Sequence, residues 1–426
     1  MKKVLIIYPH FPPSNLAGVH RPRLFANHLP EFGWEPVILT VHERYYEEAH
    51  DDNLVKLLPE DLRIEKVKAR KIGRPRIIGD IGIRGYTFLY KRALELLQSE
   101  TFHFVYIPIP SFYCALLGRK LKRKTGVPYG IDYIDPWVHR FPGSNKLLSR
   151  HWFSTRLAKF LEPIAVKEAS LITGVAAGYY EPVLQRNPSL RNVVRGAMPY
   201  GGEESDHAKA AEMNMKPYLF QHSPGKIQLV YAGAMLPKAY APLEAVFRSI
   251  SEHRETFSDL ELHFIGTGSR ADDPESFNIK PLAEKYSLWH TNVFEYPKRI
   301  PYLDVLVHLN IASGIFILGS TEPHYTPSKT YQGVLSGKPL LAILHEKSTA
   351  VDVMNRSGGG MVLSFNGEEG VKDIYSGFEK FYRQWHSFME HFHPDQVNRT
   401  LFNEYSARNV TKQLAVLLNK AIGSNE

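Results

Sequence analysis

Short runs of aliphatic and β-branched residues recur along the chain, and amphipathic segments with helical spacing separate them. In the first half these runs predict strands at residues 4–8, 36–40, 104–107, 129–134 and 171–174. In the second half they predict strands at 227–232, 260–265, 293–294, 314–318 and 340–343. Helical spacing predicts helices at about 21–31, 112–124, 147–169, 241–252, 279–286 and 302–309, and a helical tail over 373–422. This alternation is typical of parallel, doubly wound sheets in an α/β protein.

The length and texture of the chain predict two domains. With 426 residues the chain exceeds the usual size of one hydrophobic core. A polar, Gly-containing stretch near residue 200 interrupts the alternation, which then restarts. We therefore predict a first domain at 1–205, a connection at 206–225 and a second domain at 226–400. A C-terminal helix is predicted at 401–426, and it is a candidate to pack back on the first domain. Two successive sheets of this kind are expected to face a cleft at the carboxyl ends of their strands, where ligands bind.

Composition is that of a soluble globular enzyme, with 43% hydrophobic and 23% charged residues. It excludes fibrous, collagenous and disordered classes. The single cysteine, Cys114, excludes an internal disulfide framework and fits a reducing compartment. Residues 4–7 form too short an apolar run for a signal peptide, and no run of about 18 apolar residues predicts a membrane span. We therefore expect a cytoplasmic protein.

Charge is distributed unevenly along the chain, whose net charge is +8. Residues 1–200 hold 30 Lys and Arg against 18 Asp and Glu, a net of +12, so the remainder carries −4. Basic residues are dense over 63–92, close to several apolar side chains, and again over 119–124. Such a cluster either docks on an anionic membrane surface, which would make the protein peripheral at the inner face of a membrane, or forms a solvated basic face. No recognised nucleic-acid-binding motif accompanies the charge, so a nucleic-acid partner is not expected.

Residues 321–343 join a polar, Pro-containing loop to a short helix and then to a buried strand. The helix is predicted to begin near Ser328, after Pro327, and to end at Gly337. Its first-turn N–H groups, the helix dipole and the charge of Lys329 together favour a bound anion. The segment therefore predicts a phosphate or diphosphate site. An ordinary capped helix between two strands fits the same pattern.

An ordered series of weak motifs resembles the GT-B glycosyltransferases, in particular the family 4-type retaining enzymes. The likeness covers nearly the whole chain. The motifs lie at residues 11–13, 17–21, 29–40, 132–137 (a D-x-x-D-P-W segment), 197–202, 230–233, 264–268, 327–329 and 337–339. The resemblance implies two Rossmann-like domains facing a cleft, with the nucleotide on the second domain and the acceptor on the first.

The resemblance and the chemistry of the residues together suggest site roles. The candidates for donor binding are Gly18, Arg21, Gly233, Lys238, Gly266, Gly268, Pro327, Ser328, Lys329 and Gln332. The candidates for catalysis are Asp135, as base or acceptor ligand, His20, and Glu322, as a ligand of sugar hydroxyls. For His20 and Arg21 an exposed position at a helix start is the alternative, for Asp135 a turn before Pro, and for Glu322 a solvated loop carboxylate.

Two positions depart from the family pattern. Many relatives carry two glutamates eight residues apart, and here these places hold His324 and Gln332. Gln332 can bond a ribose hydroxyl without the strength of a charged acceptor. The Gly-Arg that often follows the first strand of the second domain is Gly233-Ala234, so Lys238, Lys329 and Arg21 are left to neutralise the diphosphate. The chain contains no Asp-x-Asp, so neither a metal nor another cofactor is expected.

The sequence therefore predicts an enzyme that transfers a sugar from a nucleotide-diphosphate donor to a glycan or lipid-linked acceptor, with retention, in cell-surface polysaccharide or glycoconjugate biosynthesis. Two alternatives stay open. One is a catalytically silent partner protein that binds nucleotide sugars, and the other is a nucleotide-sugar epimerase on the same fold.

Overall fold

The computed structural model describes residues 1–73, 79–138, 149–323 and 325–423. The chain forms two compact units. Unit 1 comprises Met1–Tyr200 and Ala407–Glu426, and unit 2 comprises Gly201–Ser406.

Unit 1 is built on a seven-stranded parallel sheet in the order β3-β2-β1-β4-β5-β6-β7. Its strands are β1 (Lys2–Ile7), β2 (Trp34–Val41), β3 (Arg63–Val67), β4 (Phe104–Ile109), β5 (Tyr129–Tyr133), β6 (Leu171–Gly174) and β7 (Val194–Ala197). Its first five helices are α1 (His20–His28), α2 (Ile81–Ser99), α3 (Ala115–Thr125), α4 (Arg150–Val166) and α5 (Ala177–Arg186).

Unit 2 is built on a six-stranded parallel sheet in the order β10-β9-β8-β11-β12-β13. Its strands are β8 (Ile227–Ala232), β9 (Leu260–Ile265), β10 (Val293–Tyr296), β11 (Gly314–Leu318), β12 (Leu340–His345) and β13 (Gly360–Phe365). Its helices are α6 (Glu204–Glu212), α7 (Tyr240–Glu252), α8 (Lys280–Lys285), α9 (Tyr302–Ile311), α10 (Lys329–Leu335), α11 (Thr349–Ser357), α12 (Val371–His391) and α13 (Arg399–Phe402). The last helix of the chain, α14 (Ala407–Gly423), belongs to unit 1.

Both faces of the unit 1 sheet are covered, as the unbroken apolar run of β1 requires. Leu5 and Ile7 point into one core, and Val4 and Ile6 point into the other. The second core is closed by α1 and by one face of α14, whose apolar residues Val410, Leu414 and Leu418 are fully buried. The C-terminal helix thus supplies a layer that the first 200 residues lack.

Each sheet contains one point at which the strand order reverses. In unit 1 it lies between β1 and β4, and in unit 2 it lies between β8 and β11. Loops that leave neighbouring strands in opposite directions open a crevice at such a point, and ligands of open α/β sheets bind there. The loops that follow β8 and β11, taken together with α10, contain six of the ten residues that the sequence proposes for donor binding, namely Gly233, Lys238, Pro327, Ser328, Lys329 and Gln332.

The structure confirms the predicted fold class of two Rossmann-like parallel-sheet domains. It differs in detail where the sequence predicts a connection at 206–225. That stretch begins inside α6, whose Asp206 is buried and accepts a hydrogen bond of 2.9 Å from Tyr302 Oη of α9. The polar composition of this segment predicts a connection and not a helix. The sequence does not show that Asp206 is buried and paired within unit 2. In the part of the chain that the structure describes, no helix is long and apolar enough to cross a bilayer.

Candidate functional site

Three loops of unit 2 meet where β8, β11 and β12 end. The backbone N–H of Thr321, after β11, donates to the carbonyl of Lys238, after β8, at 3.1 Å. Ser348 Oγ, after β12, donates to the carbonyl of Tyr325 at 2.8 Å. The hydroxyls of Thr326 and Thr349 lie 2.7 Å apart. These bonds fix the loop of residues 319–328 against both neighbouring loops at the switch point of the sheet.

Lys329 is the first residue of α10, and its ammonium lies 3.5 Å from the centroid of the Tyr231 ring. Among the residues that the structure describes, none accepts a hydrogen bond from Nζ. Burial of this charge lowers the pKa of Lys329 to about 7. An ammonium that is desolvated and lacks an acceptor is stabilised by any anion that reaches it.

The backbone next to this ammonium belongs to Gly233, which follows β8. Gly233 has a φ of 110°, a conformation that residues with a side chain rarely adopt, and a Cβ built on it would lie 3.5 Å from Lys329 Nζ. The glycine therefore leaves open the space beside the unsatisfied cation.

Lys238 and Glu322 form the second charged pair of this region. Lys238 Nζ lies 3.7 Å from Glu322 Oε1, and the two side chains are 39% and 17% exposed. A pair this exposed contributes little to stability, about 0–1 kcal/mol. A ligand can therefore displace the contact between these two side chains at little cost.

The predicted start of α10 is accurate to one residue. Pro327 is buried, and its carbonyl accepts the N–H of Thr330 at 3.1 Å. Ser328 is exposed, and its side chain does not cap the helix. The helix ends at Leu335, two residues before Gly337, the glycine that the sequence predicts as its stop and whose φ is 69°.

Gln332 already has a partner within unit 2. Its Oε1 lies 2.9 Å from His207 Nε2 of α6, and burial lowers the pKa of His207. The amide oxygen of Gln332 is therefore engaged before any ribose arrives. His324, at the other departure from the family pattern, lies outside the described residues.

The glycines Gly266 and Gly268 are required by the turn that follows β9. Gly266 has a φ of 70° and donates its N–H to Tyr296 at 2.8 Å. A Cβ on Gly268 would come within 2.5 Å of Ser276 Oγ and 2.7 Å of the carbonyl oxygen of Pro297. Close packing inside unit 2 accounts for both glycines without a ligand.

Arg21 is fully buried in unit 1, where its guanidinium is engaged on two sides. Nε and Nη2 donate to the two carboxylate oxygens of Asp132 at 2.5 and 3.0 Å, and Nη1 donates to the carbonyl of Pro199 at 2.9 Å. Thr173 Oγ1 donates to the same carboxylate at 2.8 Å. This geometry favours a structural role for Arg21, because its guanidinium is already engaged within unit 1.

His20 is the first residue of α1, and Asp135 lies in the loop that follows β5. Burial, with a smaller effect of the Arg23 charge, lowers the pKa of His20 to about 3, so its imidazole is neutral near pH 7 and a weak base. Asp135 is exposed. The pKa values of Tyr8 and Tyr200 are raised by burial and then by the Asp135 charge, so this carboxylate lies near both phenols.

Gly18 packs directly against the hydroxyl of Tyr8, with which a Cβ on Gly18 would overlap. We expect Gly18→Ala to lower the free energy of unfolding by about 1–3 kcal/mol through this overlap. Tyr8→Phe in the same chain should restore most of the loss, because it removes the overlapping oxygen. Urea-induced unfolding measures both effects. A loss that Tyr8→Phe fails to restore would argue that Gly18 is needed for another reason, such as the approach of a phosphate.

Sequence reasoning missed a polar cluster at the switch point of unit 1. His10 Nδ1 lies 2.7 Å from Glu48 Oε1, and Ser14 Oγ donates to the same oxygen. Burial alone raises the pKa of Glu48, but the bond and charge of His10 and the bond of Ser14 outweigh it and lower the pKa to about 2. The signal in the sequence was the position of His10 shortly after β1, a strand at the point where the strand order reverses. Nothing in the spacing indicates Glu48, which lies 38 residues further on.

No protein-family model matches the chain. No curated protein matches it either. Several solved structures do match the chain. One is a glycosyltransferase from Rickettsia africae, with 16% identity, a TM-score of 0.63, and coverage of 100% of this chain and 99% of that one. Another is the sucrose-phosphate synthase of Thermosynechococcus elongatus, with 13% identity, a TM-score of 0.63 and full coverage of both chains.

A third similar structure is Anabaena HepE in complex with UDP-glucose, with 11% identity, a TM-score of 0.59, and coverage of 98% of this chain and 100% of that one. The chain has the GT-B fold. At these identities the similarity establishes the architecture alone. What a GT-B chain does must be argued from its site, for which the candidates here are Lys329, Gly233, Lys238 and Glu322.

Proposed function

We propose that this GT-B protein is a glycosyltransferase that moves a sugar from a nucleotide-diphosphate donor to a glycan or lipid-linked acceptor. The observation that carries the proposal is the ammonium of Lys329, which belongs to a half-buried side chain, lies beside the open backbone of Gly233, and has no acceptor among the described residues. The site lies at the switch point of unit 2, and similar structures bear UDP or UDP-glucose.

In the proposed donor complex, Lys329 and Lys238 contact the diphosphate, and Glu322 accepts hydrogen bonds from sugar hydroxyls. As the bond between sugar and phosphate breaks, negative charge grows on the leaving diphosphate, and preorganised cations stabilise that charge most strongly. Asp135 and the neutral His20 are proposed to orient the acceptor. No metal takes part in the proposal, and retention of configuration follows from the family resemblance. Cell-surface polysaccharide or glycoconjugate biosynthesis is the proposed setting, on the cytoplasmic side of a membrane.

The first test is a thermal-shift panel of nucleotide sugars. A donor that binds the folded chain raises its melting temperature by mass action. The donor found in this way is then incubated with the protein, with and without candidate acceptors, and release of nucleoside diphosphate is measured by chromatography. We expect faster release when acceptor is present. Absence of a shift with every donor would contradict the proposal.

A catalytically silent donor-binding partner is the second candidate, and the contact between Gln332 and His207 favours it. In this case a ribose hydroxyl would have to compete for an amide that is already bonded. The same assay separates the candidates. A silent protein shows a thermal shift without turnover, whereas an epimerase converts the donor sugar when no acceptor is present.

A further inference from the structure

Helix α4 exposes four large apolar side chains in one stripe. Phe153, Leu157, Phe160 and Ile164 are 55%, 43%, 67% and 37% exposed. Their spacing of four, three and four residues places them on one helical face, about 16 Å long. Within the described ranges, every other segment that exposes a large hydrophobic residue exposes only one.

The opposite face of α4 fixes the direction of this stripe. Ala158, Ala165 and Val166 are buried in the core of unit 1. Glu162, also buried, accepts two hydrogen bonds of 2.9 Å from Arg186 of α5. The helix is therefore anchored along its inner face, and the four apolar side chains face away from the core of unit 1.

Positive charge and an amphipathic ring flank the stripe on one side. Arg156 and Lys159 are exposed, and no carboxylate in the described chain pairs with either. The Arg156 guanidinium lies 4.4 Å from the centroid of the Trp152 ring, which packs edge-on against Phe153. The single carboxylate of α4, Glu162, is buried. An apolar stripe with a basic flank and a Trp at the boundary is the composition of helices that lie in the interface of a bilayer.

The basic residues that the sequence proposed for membrane docking are, in contrast, partly paired with carboxylates. Arg63 donates to Glu100 at 2.8 Å, and Arg92 donates to Glu65 at 2.9 Å. In the second cluster Arg119 and Arg123 share one carboxylate, Glu168. Arg74, Arg76, Ile77 and Ile78 lie outside the described residues. Charge that is already paired contributes little to the attraction of an anionic surface.

We propose that the exposed face of α4 docks on a membrane that contains anionic phospholipid. Phe153, Leu157, Phe160 and Ile164 enter the boundary between headgroups and acyl chains, and Arg156 and Lys159 contact lipid phosphates. The proposal goes beyond the transfer reaction and does not depend on it.

A second copy of the chain fits this surface poorly. A two-fold contact brings the same patch onto itself and sets the basic flanks close to each other. The stripe, about 16 Å by 10 Å, covers on the order of 200 Å², whereas stable interfaces bury about 800 Å² per partner. Anionic lipid supplies the complementary charge, and a bilayer imposes no minimum area.

The test is flotation of the full chain with vesicles of phosphatidylcholine alone or mixed with phosphatidylglycerol, without nucleotide. We expect binding to the mixed vesicles, and a partition coefficient at least tenfold lower for the double variant Phe153→Ser/Phe160→Ser. Arg156→Gln/Lys159→Gln should remove the preference for anionic lipid. The matched control, Arg63→Gln/Arg92→Gln, removes two arginines from the first basic cluster and should bind like the parent chain.

Thermal unfolding and donor affinity of each variant separate loss of docking from loss of fold or of the donor site, and neither should change in the serine variant. Failure of the parent chain to float with either vesicle would overturn the proposal, as would normal flotation of Phe153→Ser/Phe160→Ser. Sedimentation showing that the parent chain dimerises and the serine variant does not, without lipid binding, would assign the stripe to a second copy instead.

Discussion

Replacing Lys329 with Met is expected to lower the affinity for the nucleotide-diphosphate donor by about 10- to 100-fold. The ammonium lacks an acceptor among the described residues and lies beside the open backbone of Gly233. A hydrogen bond between charged groups in such a place contributes about 1.5–3 kcal/mol, which corresponds to this range of affinity. Met retains much of the length and apolar contact of the Lys stem, so the change removes mainly the charge.

Calorimetric titration of the donor identified by the thermal-shift panel measures this effect. The matched control is Lys120→Met in unit 1, because the Lys120 ammonium also lies over a tyrosine ring, 3.8 Å from the centroid of Tyr90. This control should leave donor affinity unchanged. Equal affinities of the parent chain and Lys329→Met would place the diphosphate elsewhere.

The pH dependence of donor binding follows from the same group. The pKa of Lys329 is about 7 in the folded protein, against 10.5 for an ordinary lysine, and burial is the cause. Below pH 7 the side chain is charged and attracts the diphosphate, whereas above pH 7 it must first gain a proton. Donor affinity should therefore fall as pH rises above 7, by up to about tenfold per pH unit.

Titrations of the donor between pH 6 and 9 measure this slope. The phosphates of a nucleotide sugar stay fully ionised over this range, so the slope reports the protein. Lys329→Met should bind weakly and with little dependence on pH. A slope that persists in this variant would have to come from another group.

The stability of the protein without donor should depend on pH in the opposite direction and increase as pH rises above 7. Burial of a lone ammonium costs the folded state free energy, and this cost is fully present below pH 7. It is relieved as pH rises from about 7 to 10.5, because the folded chain then loses its proton before the unfolded chain does. Lys329→Met should accordingly melt at a higher temperature than the parent chain at pH 6. The variant that binds donor less tightly is thus expected to be the more stable one.

The sequence predicts the elements of the fold well where hydrophobic runs are buried on both faces. The bounds predicted for β6, β8, β9 and β11 agree with the structure residue for residue. Edge strand β3 escaped prediction, because three of its five residues are charged and Arg63 and Glu65 pair along the strand itself. The local pattern of hydrophobic residues indicates that a strand is buried in a sheet. It does not indicate that a strand is stabilised by ion pairs.

The candidate site is predicted less completely, because contacts between distant residues decide what a side chain does. Lys329 and Gly233 are 96 positions apart, yet both were proposed from their local motifs and meet in the structure. Gln332 was proposed from its position in the family pattern, which contains no information on its contact with His207. Local motifs therefore singled out two candidate residues that are neighbours in the fold, while the hydrogen-bond partners of each side chain could be read only from the structure.

Arg21 is the clearest case, and we expect Arg21→Met to lower the free energy of unfolding of unit 1 by about 3–5 kcal/mol. The change leaves the Asp132 carboxylate buried without its cationic partner, although Thr173 still donates to it, and removal of one partner of a buried ion pair is costly. Asp132→Asn in the same chain should recover part of the loss, because it removes the uncompensated charge. Urea-induced unfolding followed by circular dichroism measures each step.

The matched control is Asp135→Asn, which changes an exposed carboxylate of the same D-x-x-D-P-W segment and should alter stability by less than about 0.5 kcal/mol. The change in stability and the change in donor affinity together distinguish the two explanations of Arg21. A structural arginine loses stability, and its donor affinity, measured below the onset of unfolding, stays close to that of the parent chain. A donor-binding arginine, as the family pattern suggests, would instead leave the unfolding transition in place and weaken the donor. That result would mean that Asp132 serves to orient Arg21 toward a phosphate.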